Sequence, residues 1–205
     1  DVLPETALTR ALSALKAKGH YLLGHFGSVY PRKQSTLVLD IAADLKRRGV
    51  PVKAVFIGDF IAGGSEDPKQ QFDRRVAELA LQDDVVVTGY IGPAGELFAA
   101  LGAVDAFIYL FAEGLTSRRG SVLACLQSGK PVFVNAPPSE SEFAHHPAYR
   151  SLIAGGRVRF LAHGATPDVA AEAITANRDA AVRGLDVDFD ACWADVAAAV
   201  RAEIA

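Results

Sequence analysis

The chain of 205 residues contains no methionine, one tryptophan and two cysteines. Without methionine it carries no initiator, so the expectation is a processed product or a piece excised from something longer. Cys125 and Cys192 lie far apart and share no metal-ligand spacing with a histidine, which points to reduced thiols and away from a metal site. No apolar run approaches the roughly 20 residues that span a bilayer, and no signal peptide opens the chain, so a cytoplasmic location is expected. Neither sign of charge dominates, with 21 Lys and Arg against 24 Asp and Glu. The net charge of −3 gives no global field toward nucleic acid or an anionic membrane, and any basic site must be local. No Ser–His–Asp arrangement, Cys-x-x-Cys, Walker loop or dinucleotide-type glycine fingerprint is present. His25 falls inside an apolar run and reads as a core histidine; the His145–His146 pair reads as part of a solvated loop.

What is present is an alternation. Half of the residues are hydrophobic, and short continuous apolar runs alternate with segments of helical periodicity. "YLLGHF" (21–26), "VKAVFIG" (52–58), "DVVVTGY" (84–90), "VDAFIYLF" (104–111), "KPVFVN" (130–135) and "RVRFLA" (157–162) read as buried strands. Leu8, Leu12 and Leu15 mark a helix in the opening segment, 1–19. Further helices are expected over 34–48, 69–81, 94–102, 118–128, 148–154, 167–181 and 189–203, with Gly49 ending the first of these. Runs that do not alternate, separated by helices, are the mark of a parallel sheet covered on both faces. The fold class is therefore α/β: one doubly wound Rossmann-like domain over 1–205 with a parallel sheet of about six strands. The stretch 136–147 is the longest irregular one, and a mobile loop is expected there.

In such sheets ligands bind at the carboxyl ends of the strands, so five loops (27–33, 58–68, 89–93, 111–117 and 136–147) share one edge. In "GHFGSVYPRK" (24–33), Gly27 lets backbone approach a ligand, and Lys33 adds charge at a helix N-terminus, which suits a phosphate. An ordinary tight turn with solvated cations is the alternative. In "EGLTSRRGS" (113–121), Arg118 and Arg119 stand in the first turn of a helix, where cations oppose the dipole unless an anion joins them. The alternative is that they face solvent or pair with Glu113. Tyr90 and Ile91, after Gly89, either meet a flat base or form a plain turn.

These pieces, in this order, resemble the C-terminal nucleotide-sugar-binding domain of GT-B glycosyltransferases of the group-1 (family 4) type. "GHFGSVYPRK" is similar to that family's glycine–arginine–x–x–x–x–lysine phosphate loop. "VFIGD", "VVVTGYIGPAGELFAALGAVDAFIYL" and "EGLTSRRGSVLACLQSGKPVFV" are similar to the strands, glycine turn and acidic loop that follow. The resemblance implies one half of a GT-B fold, a donor site for a UDP- or GDP-linked sugar with no cofactor and no metal, and a place in polysaccharide biosynthesis. It implies donor contacts from Gly27, Ser28, Arg32, Lys33, Tyr90 and Ile91, and from Glu113, Gly114, Leu115, Thr116, Ser117, Arg118, Arg119 and Ser121. Glu113, Lys33 and Arg118 are the candidates to stabilise the leaving diphosphate. It also implies an N-terminal acceptor-binding domain as partner, against which 189–203 would pack. Any contact with a membrane would come through that missing part alone.

Two positions depart from the family. Its loop arginine is Ser28 here, with Arg32 or the Arg118–Arg119 pair as possible replacements. Its two glutamates, separated by seven residues, fall on Glu113 and Ser121 or, counted from "GKP", on Thr116 and Ala124. A nucleotide- or phosphosugar-binding module without catalysis is the second reading.

Overall fold

Among the described residues each apolar run becomes a strand, and each periodic segment becomes a helix on one face of the sheet. The computed structural model describes residues 3–30, 34–61, 67–144, 146–180 and 187–188. In chain order the elements are α1 (Ala7–Ala17), β1 (Tyr21–Phe26), α2 (Ser35–Arg47), β2 (Val52–Ile57), α3 (Pro68–Glu78), β3 (Val85–Val87) and α4 (Ala94–Ala103). They continue with β4 (Ala106–Tyr109), α5 (Gly120–Gln127), β5 (Val132–Asn135), a 3₁₀ turn (Glu140–Phe143), α6 (Pro147–Ala154), β6 (Val158–Leu161) and α7 (Pro167–Asn177). The expected elements within the described residues are all found, with ends shifted by a few residues. Expectations for 189–203, Cys192, Arg32, Lys33 and His145 lie outside the described residues.

The six strands are parallel, in the order β3-β2-β1-β4-β5-β6. Helices α2, α3 and α7 cover one face, through residues such as Ile41, Phe72 and Ile174. Helices α1, α4, α5 and α6 cover the other, through Leu12, Leu101, Leu126 and Leu152. The winding direction reverses between β1 and β4, and that reversal places a crevice at the carboxyl ends of these two strands.

The sheet is thin at this point. β1 pairs with β2 along its whole length, from Tyr21 to Phe26, but with β4 only at Leu23 and Gly24. Side chains complete the join. The Tyr109 hydroxyl donates to the Phe26 carbonyl at 2.8 Å and accepts the Phe26 N–H at 3.1 Å. Burial pushes the Tyr109 phenol well up, so the proton it donates is retained. His25 Nδ1 donates to the Ile108 carbonyl at 3.0 Å, and its ring packs on Tyr109 and Phe56. His25 is thus the core histidine that its position suggested.

One expectation is corrected. The stretch 136–147 is not irregular throughout, because it carries the 3₁₀ turn Glu140–Phe143. Phe143 is 4% exposed, and its ring centroid lies 4.7 Å from that of Tyr149. An aromatic side chain in the loop buries itself in the core and brings the backbone with it.

Candidate functional site

After Phe26 the chain does not leave β2 at once. The Gly27 N–H donates to the Ile57 carbonyl at 3.0 Å, and the Val29 N–H donates to the Asp59 backbone carbonyl at 2.9 Å. Val29 is buried and bridges to Phe60. A Cβ on Gly58, whose φ is +146°, would lie 2.3 Å from the Gly27 carbonyl oxygen. The close backbone approach at Gly27 is therefore made to the neighbouring strand end. Half-buried Ser28 follows. Gln34, in the left-handed region with φ 52°, opens α2 without a side-chain cap. The N-terminal N–H groups of this helix stay on the same edge as the Gly27 turn.

On the other side of the crevice, the loop after β4 is held from β5. The Asn135 side chain accepts the Phe111 N–H at 2.8 Å, and its amide donates to the Phe111 carbonyl. Gly114, with φ +75°, lies against Ala136, where a Cβ would come within 2.1 Å of the carbonyl oxygen. The Leu115 N–H donates to the Asn135 carbonyl at 3.0 Å, and the Leu115 side chain is fully buried. Leu115 and Gly114 can therefore meet a ligand through backbone only. Glu142, on the 3₁₀ turn, accepts the Ser117 N–H at 2.9 Å and the Ser117 hydroxyl at 3.3 Å.

The two arginines separate. Arg119 donates to Glu113 at 2.6 Å and lies over the Phe111 ring, 4.3 Å from its centroid. This is the pairing with Glu113 that the sequence left open. Arg118 is exposed and has no side-chain partner among the described residues. Half-buried Thr116 precedes them, and Ser121 stands in the first turn of α5, whose N-cap residue Arg119 makes no side-chain cap. The β4 tip therefore offers the Thr116 hydroxyl, one cation without a side-chain partner among the described residues and an open helix N-terminus, a set suited to an anion.

The third flank is β3. Thr88 accepts the Gly58 N–H at 3.1 Å and donates to the Gly89 carbonyl at 2.8 Å, which ties the β2 and β3 tips together. Beyond it Tyr90 is 84% exposed, with half-buried Ile91 beside it. Such a ring is free to stack on a planar group.

Three residues that hold this edge were missed from the sequence: Tyr109, Asn135 and Glu142. Only Asn135 left a signal, as the polar residue that closes the apolar run "KPVFVN". A groove of about 430 Å³ lies elsewhere, lined by Thr36, Asp40, Gln71, Arg74, Arg75 and Glu78. Arg75 there is paired with both Asp40 and Glu78, so this is a charge-paired seam between α2 and α3. Among the described residues no group of three or more His, Cys, Asp or Glu side chains could hold a metal ion, and no helix is long and apolar enough to cross a membrane.

No protein-family model matches the chain, and no curated protein matches it in sequence. Solved structures do. The C-terminal domain of the group 1 family glycosyl transferase LpcC from Francisella tularensis matches with TM-score 0.50 at 15% identity, over 87% of this chain and 96% of that domain. The chain has the fold of a Rossmann-like half of a GT-B glycosyltransferase. Anabaena HepE in complex with UDP and glucose matches with TM-score 0.60 at 20% identity, over 84% of this chain and 42% of HepE. A variant of S. aureus TarM, in complex with fondaparinux, α-GlcNAc-glycerol and UDP, matches with TM-score 0.57 at 14% identity, over 87% of this chain and 30% of TarM. The chain thus spans less than half the length of these two proteins.

Proposed function

We propose that the chain is the donor-binding half of a hexosyltransferase that moves a sugar from a UDP- or GDP-linked donor to a saccharide or lipid-linked acceptor. The observation that carries this reading is the pairing of two features across the β1–β4 crevice of a GT-B half: the Gly27 turn and the hydroxyl- and arginine-bearing segment 116–121 that opens α5. Lys33, Arg118 and the N-termini of α2 and α5 would neutralise the leaving diphosphate, without an obligatory metal. Most of the rate enhancement would come from positioning and from these preorganised charges. Tyr90 and the backbone at Ile91 would meet the nucleobase. An N-terminal domain would bring the acceptor to the same edge, so the chain by itself would bind donor without turnover. The proposed setting is cytoplasmic polysaccharide biosynthesis.

One observation favours the second reading, a binding module without catalysis. Glu113, the one carboxylate in 113–121, is already paired with Arg119. Calorimetry of the chain with UDP, GDP and ADP tests both readings, since each requires that a nucleoside diphosphate bind. Absence of binding by all three would remove the donor site. Fusion to the N-terminal half of a GT-B enzyme then separates the two readings, because only the first expects sugar transfer.

A further inference from the structure

We infer that Glu142 is a positioning residue for the phosphate-facing loop of the donor site, an inference that rests on the donor-site reading above. Besides the Leu115 N–H bond to the Asn135 carbonyl, two side chains tie the loop from Phe111 to Arg119 to the β5 side. Asn135 fixes its start, through both backbone polar groups of Phe111. Glu142 fixes its end, with one carboxylate oxygen accepting both the Ser117 N–H and the Ser117 hydroxyl. Bonds to a charged acceptor are the stronger kind. The acceptor is itself anchored, because the next residue, Phe143, is buried against Tyr149. Glu142 therefore transmits the position of a core aromatic to the residue that immediately precedes Arg118.

The geometry also says which part of a ligand should feel the change. Glu142 follows β5, whereas Tyr90 follows β3, and β4, β1 and β2 lie between these strands. Releasing Ser117 would let the hydroxyls and Arg118 drift at the phosphate end while leaving the base end in place. A carboxamide in the place of the carboxylate still accepts both bonds, so Glu142→Gln should preserve the loop where Glu142→Ala does not.

The test uses the 205-residue chain. Calorimetry first identifies which of UDP and GDP the wild type binds, and then compares that diphosphate with its monophosphate in both variants. The expected result is an affinity for the diphosphate about tenfold weaker in Glu142→Ala, the scale of one lost charge-assisted hydrogen bond, with the monophosphate changed by less than about twofold. Glu142→Gln should stay within about threefold of wild type for both ligands, and thermal melting should show both variants folded. Unchanged diphosphate affinity in Glu142→Ala would overturn the inference while leaving the donor site standing. So would a parallel loss of both ligands, or a Gln variant as weak as the Ala variant. A wild-type chain that binds neither diphosphate would overturn the donor-site reading and this inference with it.

Discussion

The two edges of the sheet handle charge differently. At the amino ends of the strands two carboxylates gather the neighbouring ammonium groups. Asp84 holds both Lys46 and Lys53, at 2.6 and 2.8 Å. Asp105 pairs with Lys16 at 2.6 Å and accepts the Leu22 N–H at 2.8 Å. At the carboxyl ends Arg118 stands exposed, five of the helices that follow strands (α2, α4, α5, α6 and α7) open without side-chain caps, and a tyrosine ring faces solvent. Charge that stabilises a fold is saturated by its neighbours, whereas a site for an anion must leave donors unspent. Loss of a paired ion at the amino edge should therefore cost stability and leave nucleotide binding alone, whereas loss of an unspent charge at the carboxyl edge should do the reverse.

The largest effect is expected at Asp84. Both Asp84 and Lys53 have little exposed side chain, so Asp84→Ala would leave the Lys53 ammonium with the Asp83 carbonyl but no counter-charge and should destabilise the fold by about 3 kcal/mol in urea titrations. Diphosphate affinity of the folded fraction should be unchanged. Burial acts to raise the Asp84 carboxyl, but hydrogen bonds and charge from Lys46 and Lys53 outweigh it and hold the carboxyl below its usual range. A depressed carboxylate contributes stability above its unfolded value and loses it as pH falls through the folded value. Wild type should therefore weaken below about pH 4, and Asp84→Asn should lose part of that acid dependence. An Asp84 variant that unfolds no more readily than wild type would erase the contrast between the edges.

Tyr109→Phe tests the boundary between them. The change deletes one hydroxyl and leaves the Phe26 N–H and carbonyl facing an apolar ring in the β1–β4 gap. A cost of about 2 kcal/mol in stability is expected, along with weaker diphosphate binding, because Gly27 follows directly. Equal stability of Tyr109→Phe and wild type would mean that the gap is bridged in some other way.

The strands and helices were legible because each is announced locally, by an apolar run or by helical spacing with a stop such as Gly49. Lys46 and Arg47 stand in the last turn of α2, as cations should. The site was legible only in its loop positions. Its clamps join residues distant in sequence: Tyr109 with Phe26, Asn135 with Phe111, Glu142 with Ser117. Nothing local in a tyrosine inside "AFIYLF" says that its hydroxyl replaces a missing ladder bond. Nor could the sequence separate Arg118 from Arg119, which are neighbours of the same type. The difference arises because Phe111 and Glu113 lie within reach of only one of them. Gly27 reads as an opening toward a ligand, and the structure adds that its carbonyl also lies tight against Gly58, a contact set by strand pairing.

Lys33 lies outside the described residues, yet its place in the phosphate-loop pattern gives a definite expectation. Lys33→Ala should weaken nucleoside diphosphate binding roughly tenfold with little change in melting temperature. Undiminished binding would transfer the cationic role to Arg32 or to the β4 tip.

The smallest expected effect is the most discriminating, since it compares adjacent residues. Arg119 is committed: it stacks on Phe111 and pairs with Glu113, so Arg119→Ala should cost stability, though less than about 1 kcal/mol for so accessible a pair. Arg118 makes no such contact, so Arg118→Ala should leave stability within about 0.5 kcal/mol of wild type. Its effect should fall instead on diphosphate affinity, weakened by about fivefold and more so at low salt, as expected for an exposed cation reaching an anion. Calorimetry at two salt concentrations and a urea titration decide the matter together. If both arginines moved the same quantity by the same amount, the distinction between committed and idle charge would fail at the point where the two are closest.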